Sequence, residues 1–99
     1  MFNDEIELGN LVETIEHGEV IKSMVWEKRL ANQLDDKRSA LFQGAVAGLK
    51  PELTFEINNF EFNNEEYVRF NGKVYTIIGA LKNGDMRVLI CTTHVGSEV

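Results

Sequence analysis

The stretch Tyr67-Val68-Arg69-Phe70-Asn71-Gly72-Lys73-Val74-Tyr75-Thr76-Ile77-Ile78-Gly79-Ala80, continued through Asn83-Gly84 to Met86-Arg87-Val88-Leu89-Ile90-Cys91-Thr92, decides the fold. Three runs rich in β-branched and aromatic residues are separated by two Asn-Gly pairs. Asn and Gly tolerate the positive φ that type I′ turns require, so each pair predicts a tight hairpin. The expected product is a three-stranded antiparallel meander over 67–70, 73–80 and 86–92.

Moving back along the chain, Leu53, Phe55 and Ile57 alternate with Thr54, Glu56 and Asn58, the pattern of a half-buried strand. The polar loop 58–64 that follows carries Phe60 and Phe62 on either side of Glu61, and both rings are expected to tuck back onto the barrel. Before it, a helix is expected over about 36–48. Leu41, Phe42, Ala45, Val46 and Leu49 fall within an arc of about 140°. Ala40, Gly44 and Ala47 lie opposite, as a lightly solvated face or as a place where another backbone comes close. Asp35 or Asp36 supplies the N-cap oxygen, Gly48 suits the left-handed C′ position, and Pro51 forbids continuation.

In the first third, Ile6-Glu7-Leu8 opens a strand near Asp4 by period-two alternation, and Gly9-Asn10 is expected to interrupt it as a bulge or bend. Glu16-His17-Gly18-Glu19 predicts a hairpin turn of the longer type. A second, long strand is expected over 20–31. Val20, Met24, Trp26 and Leu30 share one face of it and Ile21 and Val25 the other, so it is expected to be partly buried on both sides or bent to serve two layers. Six strands with one inserted helix make a mainly β protein, a small antiparallel barrel or sandwich. The expected organisation is one domain over 1–93 and a flexible, patternless tail over 94–99.

The 99 residues suit a single domain, which buries roughly two thirds of the surface its unfolded chain exposes. Hydrophobic residues are 43% and charged residues 26%, ordinary values for a globular protein. The net charge of −6, from 16 acidic and 10 basic residues, opposes both a phosphate-gripping surface and an anionic membrane surface. The plain account of that charge is solubility through self-repulsion. The single cysteine, Cys91, rules out an internal disulfide and suggests a reducing compartment. No apolar run approaches the ~20 residues of a membrane helix, and the N-terminus lacks the basic and apolar regions of a signal peptide.

No nucleotide-binding glycine loop and no zinc-protease helix motif is present. His17 and His94 have no Cys or acidic partner at ligand spacing, and both are expected at the surface. Cys91 shares a strand face with Leu89, where it suits a small buried hydrophobe. Glu65 and Glu66 are adjacent, so on a strand they address opposite faces rather than one substrate. Trp26 lacks a second aromatic at strand spacing, so it suits a core or interface anchor better than a base-stacking platform. The expectation is a protein without catalysis, metal or cofactor.

From the helix onward the sequence resembles the small head closure proteins of tailed bacteriophages, the head–tail joining (stopper or adaptor) family. The resemblance runs over about 19–92 and rests on an ordered set of features. Arg38-Ser39 opens the helix, Phe42 follows, and Ala45 or Ala47 occupies the family's helical alanine. Next come Gly48-Leu49-Lys50-Pro51-Glu52, the strand Phe55-Glu56-Ile57 and the turn Phe62-Asn63-Asn64-Glu65. Phe70-Asn71-Gly72-Lys73-Val74-Tyr75 matches the aromatic-Asn-Gly-Lys-x-Tyr hairpin, and Gly84-Asp85 and Leu89-Ile90-Cys91 close the series. Ala40, where members carry an acid, and Gly79-Ala80, where an arginine is usual, depart from it.

The resemblance implies a virion protein that assembles as a ring with copies of itself, a dodecamer in the family, below the portal or adaptor. Such a ring closes the DNA channel after packaging and presents a platform to the tail completion or tail tube protein. DNA would only pass through, without specific binding, and no membrane is involved. The expected location is the head–tail connector, and the host cytoplasm before assembly. Candidate subunit-interface residues are Trp26, Ala40, Gly44 and Ala47. Candidates for the segment lining the channel are Lys28, Arg29, Gln33 and Asp35 within 28–36, and Phe60 and Phe62 within 58–64. Carboxylates facing a channel would repel DNA phosphates, a second possible use for the acidic charge. The rival reading is a small β-barrel that binds single-stranded nucleic acid or a peptide, which needs aromatic platforms along a basic groove.

Overall fold

A computed structural model describes residues 4–35, 37–39 and 51–93. Its strands are β1 (Asp4–Glu16), β2 (Glu19–Gln33), β3 (Leu53–Asn58), β4 (Tyr67–Phe70), β5 (Lys73–Asn83) and β6 (Met86–Thr93), with a 3-10 turn at Asn59–Glu61. They close into an antiparallel barrel in the order β1-β2-β3-β6-β5-β4. The meander forms as its turns require. Asn71 and Gly72 both take positive φ, 51° and 79°, which gives the β4–β5 hairpin a type I′ turn.

The β5–β6 turn differs from expectation by one residue. Asn83 pairs with Met86, so the two central residues are Gly84 and Asp85, and of these only Gly84 has positive φ, 63°. This is the type II′ pattern, in which glycine comes first. The β1–β2 turn is also tighter than expected. Glu16 pairs with Glu19, leaving only His17 and Gly18 between them, at φ 52° and 78°. Gly9-Asn10 does not interrupt β1, since every residue from Asp4 to Glu16 has a partner on β2 in unbroken register. The sheet's bulge falls instead in β5, where Ile77 pairs with Cys91 and Gly79 with Ile90. The extra residue, Ile78, reverses the facing of the strand, so Ile77 and Ala80 serve the barrel interior while Ile78 and Leu81 face outward.

Two apolar layers follow from this. Ile6, Leu8, Phe55, Val68, Leu89 and Cys91 meet inside the barrel, where Phe55 and Phe70 pack edge to face at 5.1 Å between centroids. Val88 and Ile90, on the other face of β6, are equally buried and pack with Leu34 outside the barrel. Leu34 is held there by its N–H, which donates to the Thr54 carbonyl at 2.8 Å. Asp35 then begins the helical turn at 37–39, accepting from the Arg38 N–H at 2.8 Å, as an N-cap does. The remainder of the helix expected over about 36–48, with Ala40, Gly44 and Ala47, lies outside the described residues, as does the tail 94–99.

Cys91 is completely buried, and burial pushes its thiol up to about 12. A raised folded-state value means the neutral thiol is the form that folding favours. That contribution is complete below the unfolded value near 9.0 and is lost as the pH rises toward about 12. At pH 8 a thiol reagent should therefore react with the native protein only as fast as the barrel opens. Addition of denaturant should make the reaction immediate, and rapid labelling of native protein would contradict the buried placement.

Candidate functional site

The first six residues of β1, as far as Gly9, and the end of β2 belong to the barrel; the rest of both strands does not. Pairing of β1 with β4 is confined to Glu7, Leu8 and Gly9, and pairing of β2 with β3 to Asn32 and Gln33. Beyond those points β1 and β2 touch only each other through the ladder and project as a two-stranded ribbon. At about 3.4 Å per residue, the stretch from Gly9 to the turn extends roughly 25 Å.

This ribbon is apolar where a solvated hairpin would be polar. Leu11, Ile15, Val20 and Met24 lie on the face that continues the barrel's exterior, and Val12, Ile21 and Val25 on the opposite face. Ile15 is 77% exposed and Val20 60%, and Leu11, Val12, Ile21 and Val25 are exposed as well. The two-sided apolar pattern of β2 is therefore present, but it is not buried within the chain as expected. The face assignments hold; the second layer that would cover them is missing among the described residues. Isolated two-stranded ribbons are marginal in water, and contiguous exposed apolar surface of this kind marks an interaction site.

At its root the ribbon is braced by one stack. Arg69 grips Glu7 with two parallel bonds, Nε to Oε1 at 2.9 Å and Nη2 to Oε2 at 2.8 Å. The same guanidinium lies 4.5 Å from the centroid of the Trp26 ring. Trp26 in turn lies flat across Gly9, its pairing partner, where a Cβ would meet the ring at 2.5 Å. Glycine stands at position 9 because the indole occupies the space a side chain would need. Of the interface candidates, Trp26 is thus half-buried at the base of the ribbon, and the others are not described.

The channel candidates separate into three groups. Lys28, Arg29 and Phe60 come together around one open groove of about 510 Å³, joined by Leu30 and Glu61. Phe60, on the 3-10 turn, is 79% exposed rather than tucked in, because that turn lifts its side chain clear of the barrel. Phe62 does turn inward, packing on the barrel core beneath Arg87, whose guanidinium is 5.4 Å from its ring. Gln33 and Asp35 are exposed; the Gln33 backbone N–H donates to the Asp4 carboxylate, and the Asp35 side chain caps the turn after it. Arg29 pins the groove by donating to the Glu61 carbonyl at 3.2 Å and to Glu27 at 2.6 Å.

Glu65 and Glu66 follow different courses. Glu65 is buried and accepts from the Asn63 N–H at 2.6 Å, fixing the loop, while Glu66 is exposed. His17 sits at the ribbon tip and is exposed. Among the described residues no group of His, Cys, Asp or Glu could hold a metal ion, and no helix is long and apolar enough to cross a membrane. No protein-family model matches the chain, and no relative is found among curated proteins.

The brace generates two expectations. Gly9→Ala should displace the sole tryptophan from its seat, lowering stability by about 1–3 kcal/mol in denaturant titration and shifting its emission. An unchanged emission would show that the indole does not lie on Gly9. Second, the hydrogen bond from Arg69 lowers the Glu7 carboxyl below its ordinary 4.5. A lowered folded-state value contributes stability above the unfolded value, lost as the pH falls through the folded one. Acidification below about 4.5 should therefore alter Trp26 emission as Arg69 is released, and Glu7→Gln should lack that step.

Proposed function

We propose that the chain is a structural subunit of a tailed-bacteriophage head–tail connector, forming a ring below the portal or adaptor that closes the DNA channel and receives the tail. The observation that carries this reading is the β1–β2 ribbon, which extends apolar residues on both faces away from a barrel that does not cover them. A ring subunit needs two unlike contact surfaces, because head-to-tail packing around an axis joins different patches. The ribbon offers unlike surfaces of this kind, at its two edges as well as on its two faces. The resemblance of 19–92 to head closure proteins agrees with it and supplies the biological setting.

On this reading the groove between Lys28, Arg29, Leu30 and Phe60 is a second contact area, open to a neighbouring connector protein. Electron microscopy of lysates from a phage with this gene disrupted tests the proposal. Leaking or empty heads beside separate, intact tails are the expected result. Normal infectious particles would overturn it.

A further inference from the structure

Beyond the barrel, both strands of the ribbon have an open edge. Among the described residues, β1 has no partner on its outer side from Leu11 to Glu16, and β2 has none from Glu19 to Leu30. Neither edge has a bulge or a proline to prevent strand addition; the charges at their outward-aiming positions are Glu13 on one and Lys22 and Lys28 on the other. The direction of the free backbone groups follows from the barrel end. Gly9 accepts from the Glu66 N–H at 3.2 Å, so odd positions of β1 aim their N–H and C=O away from β2. Leu34 donates to Thr54 on β3, so even positions of β2 likewise aim away from β1.

The side chains at those same positions are sorted by charge. Outward-aiming positions of β1 carry Leu11, Glu13 and Ile15, with Glu5 and Glu7 nearer the barrel, and no base. Outward-aiming positions of β2 carry Val20, Lys22, Met24, Trp26, Lys28 and Leu30, and no acid. Within the chain these two rows already match, with Glu13 and Lys22 at 3.7 Å and Glu5 and Lys28 at 4.0 Å. Each edge is therefore complementary to the other edge of another copy and not to itself. Two β1 edges would set Glu13 against Glu13, and two β2 edges would set lysines against lysines, which like-charge cross-strand pairs disfavour.

We infer that copies of this chain join edge to edge through the ribbon, the β1 edge of one pairing antiparallel with the β2 edge of the next. Glu13 of one copy then lies beside Lys22 of its neighbour, Ile15 beside Val20, and Leu11 beside Met24. The contact is heterologous, so repetition around an axis generates a ring whose ribbons form one continuous sheet. This inference rests on the ring-subunit reading and specifies the surface through which the ring forms. It pairs edges that lack a bulge or proline and gives each apolar side chain a further cross-strand neighbour on its own face.

Lys22→Pro removes an N–H that aims at the open edge while leaving the bonds to β1 untouched, so the hairpin itself should survive. In size-exclusion chromatography with light scattering, the full wild-type chain should associate as its concentration rises. The Lys22→Pro chain should remain a monomer with an unchanged far-UV circular dichroism spectrum. As a second measurement, Glu13→Cys and Lys22→Cys chains are mixed under a mild copper–phenanthroline oxidant. Disulfide-linked dimers should form in the mixture and not in either variant alone, the buried Cys91 taking no part.

Association of Lys22→Pro equal to wild type would overturn edge pairing and leave the ring-subunit reading to the lysate experiment. So would cross-linking as efficient within one variant as in the mixture. A wild-type chain that is monomeric up to millimolar concentration and gives no mixed cross-link would overturn it too. Normal particles without the gene would instead remove the connector role.

Discussion

Three residue pairs, Glu7–Arg69, Leu8–Val68 and Gly9–Tyr67, close the barrel, and the rest of the structure depends on that closure. Without them β1 and β4 would be two sheet edges and the interior would open along its length. The closure is short, and each of its positions has a different physical role. Leu8 and Val68 are wholly buried on the inside. Glu7 and Arg69 form the bidentate pair outside, which sets the register because a carboxylate displaced by one residue would point inward. Gly9 has no side chain, and the Trp26 ring uses the room.

Because the closure ends at Gly9, it also determines where the ribbon begins. A strand pair that left the barrel earlier would strip the core of Leu8. One that left later would need strand partners ahead of Tyr67, where β4 begins. The Trp26–Arg69–Glu7 stack lies at this boundary and joins barrel to ribbon, so the projecting element is anchored by an aromatic ring and a charge pair rather than by continued sheet. Its extended part is then free to present both faces and both edges, which a strand inside a closed barrel cannot do.

The same end of the barrel, beside the root of the ribbon, is closed by two arginines. Arg29, within β2, and Arg87, near the start of β6, occupy inward-facing positions and turn toward the 58–66 segment. Arg29 holds the Glu61 carbonyl, and Arg87 holds the Asn59 side chain at 2.9 Å and covers Phe62. Phe62 is thereby pressed into the core as a plug while Phe60, two residues earlier, is left in solvent. The same loop thus seals the interior and contributes an exposed ring to the groove beside Lys28. A short 3-10 turn accomplishes both, since its three residues per turn separate the two rings.

Much of the fold was legible in the sequence because its signals are local. Alternation in 53–58, the Asn71-Gly72 turn and the apolar run of 86–92 each constrain only neighbouring residues, and together they require antiparallel pairing. The six strands and the mainly β class follow from sequence alone, as does the assignment of Val20, Met24, Trp26 and Leu30 to one face, which parity dictates. What parity cannot reveal is what stands opposite a face. That Gly9 is a seat for Trp26 rather than a bulge, that Phe60 is exposed while Phe62 is buried, and that β1 and β2 leave the barrel after Gly9 all depend on partners distant in sequence. The same apolar residues that suggest burial in the sequence become an exposed ribbon in the fold, because β4 is too short and β3 too distant to cover them. Hydrophobicity determined that these strands need a neighbour; only the tertiary structure decided that the barrel does not supply it.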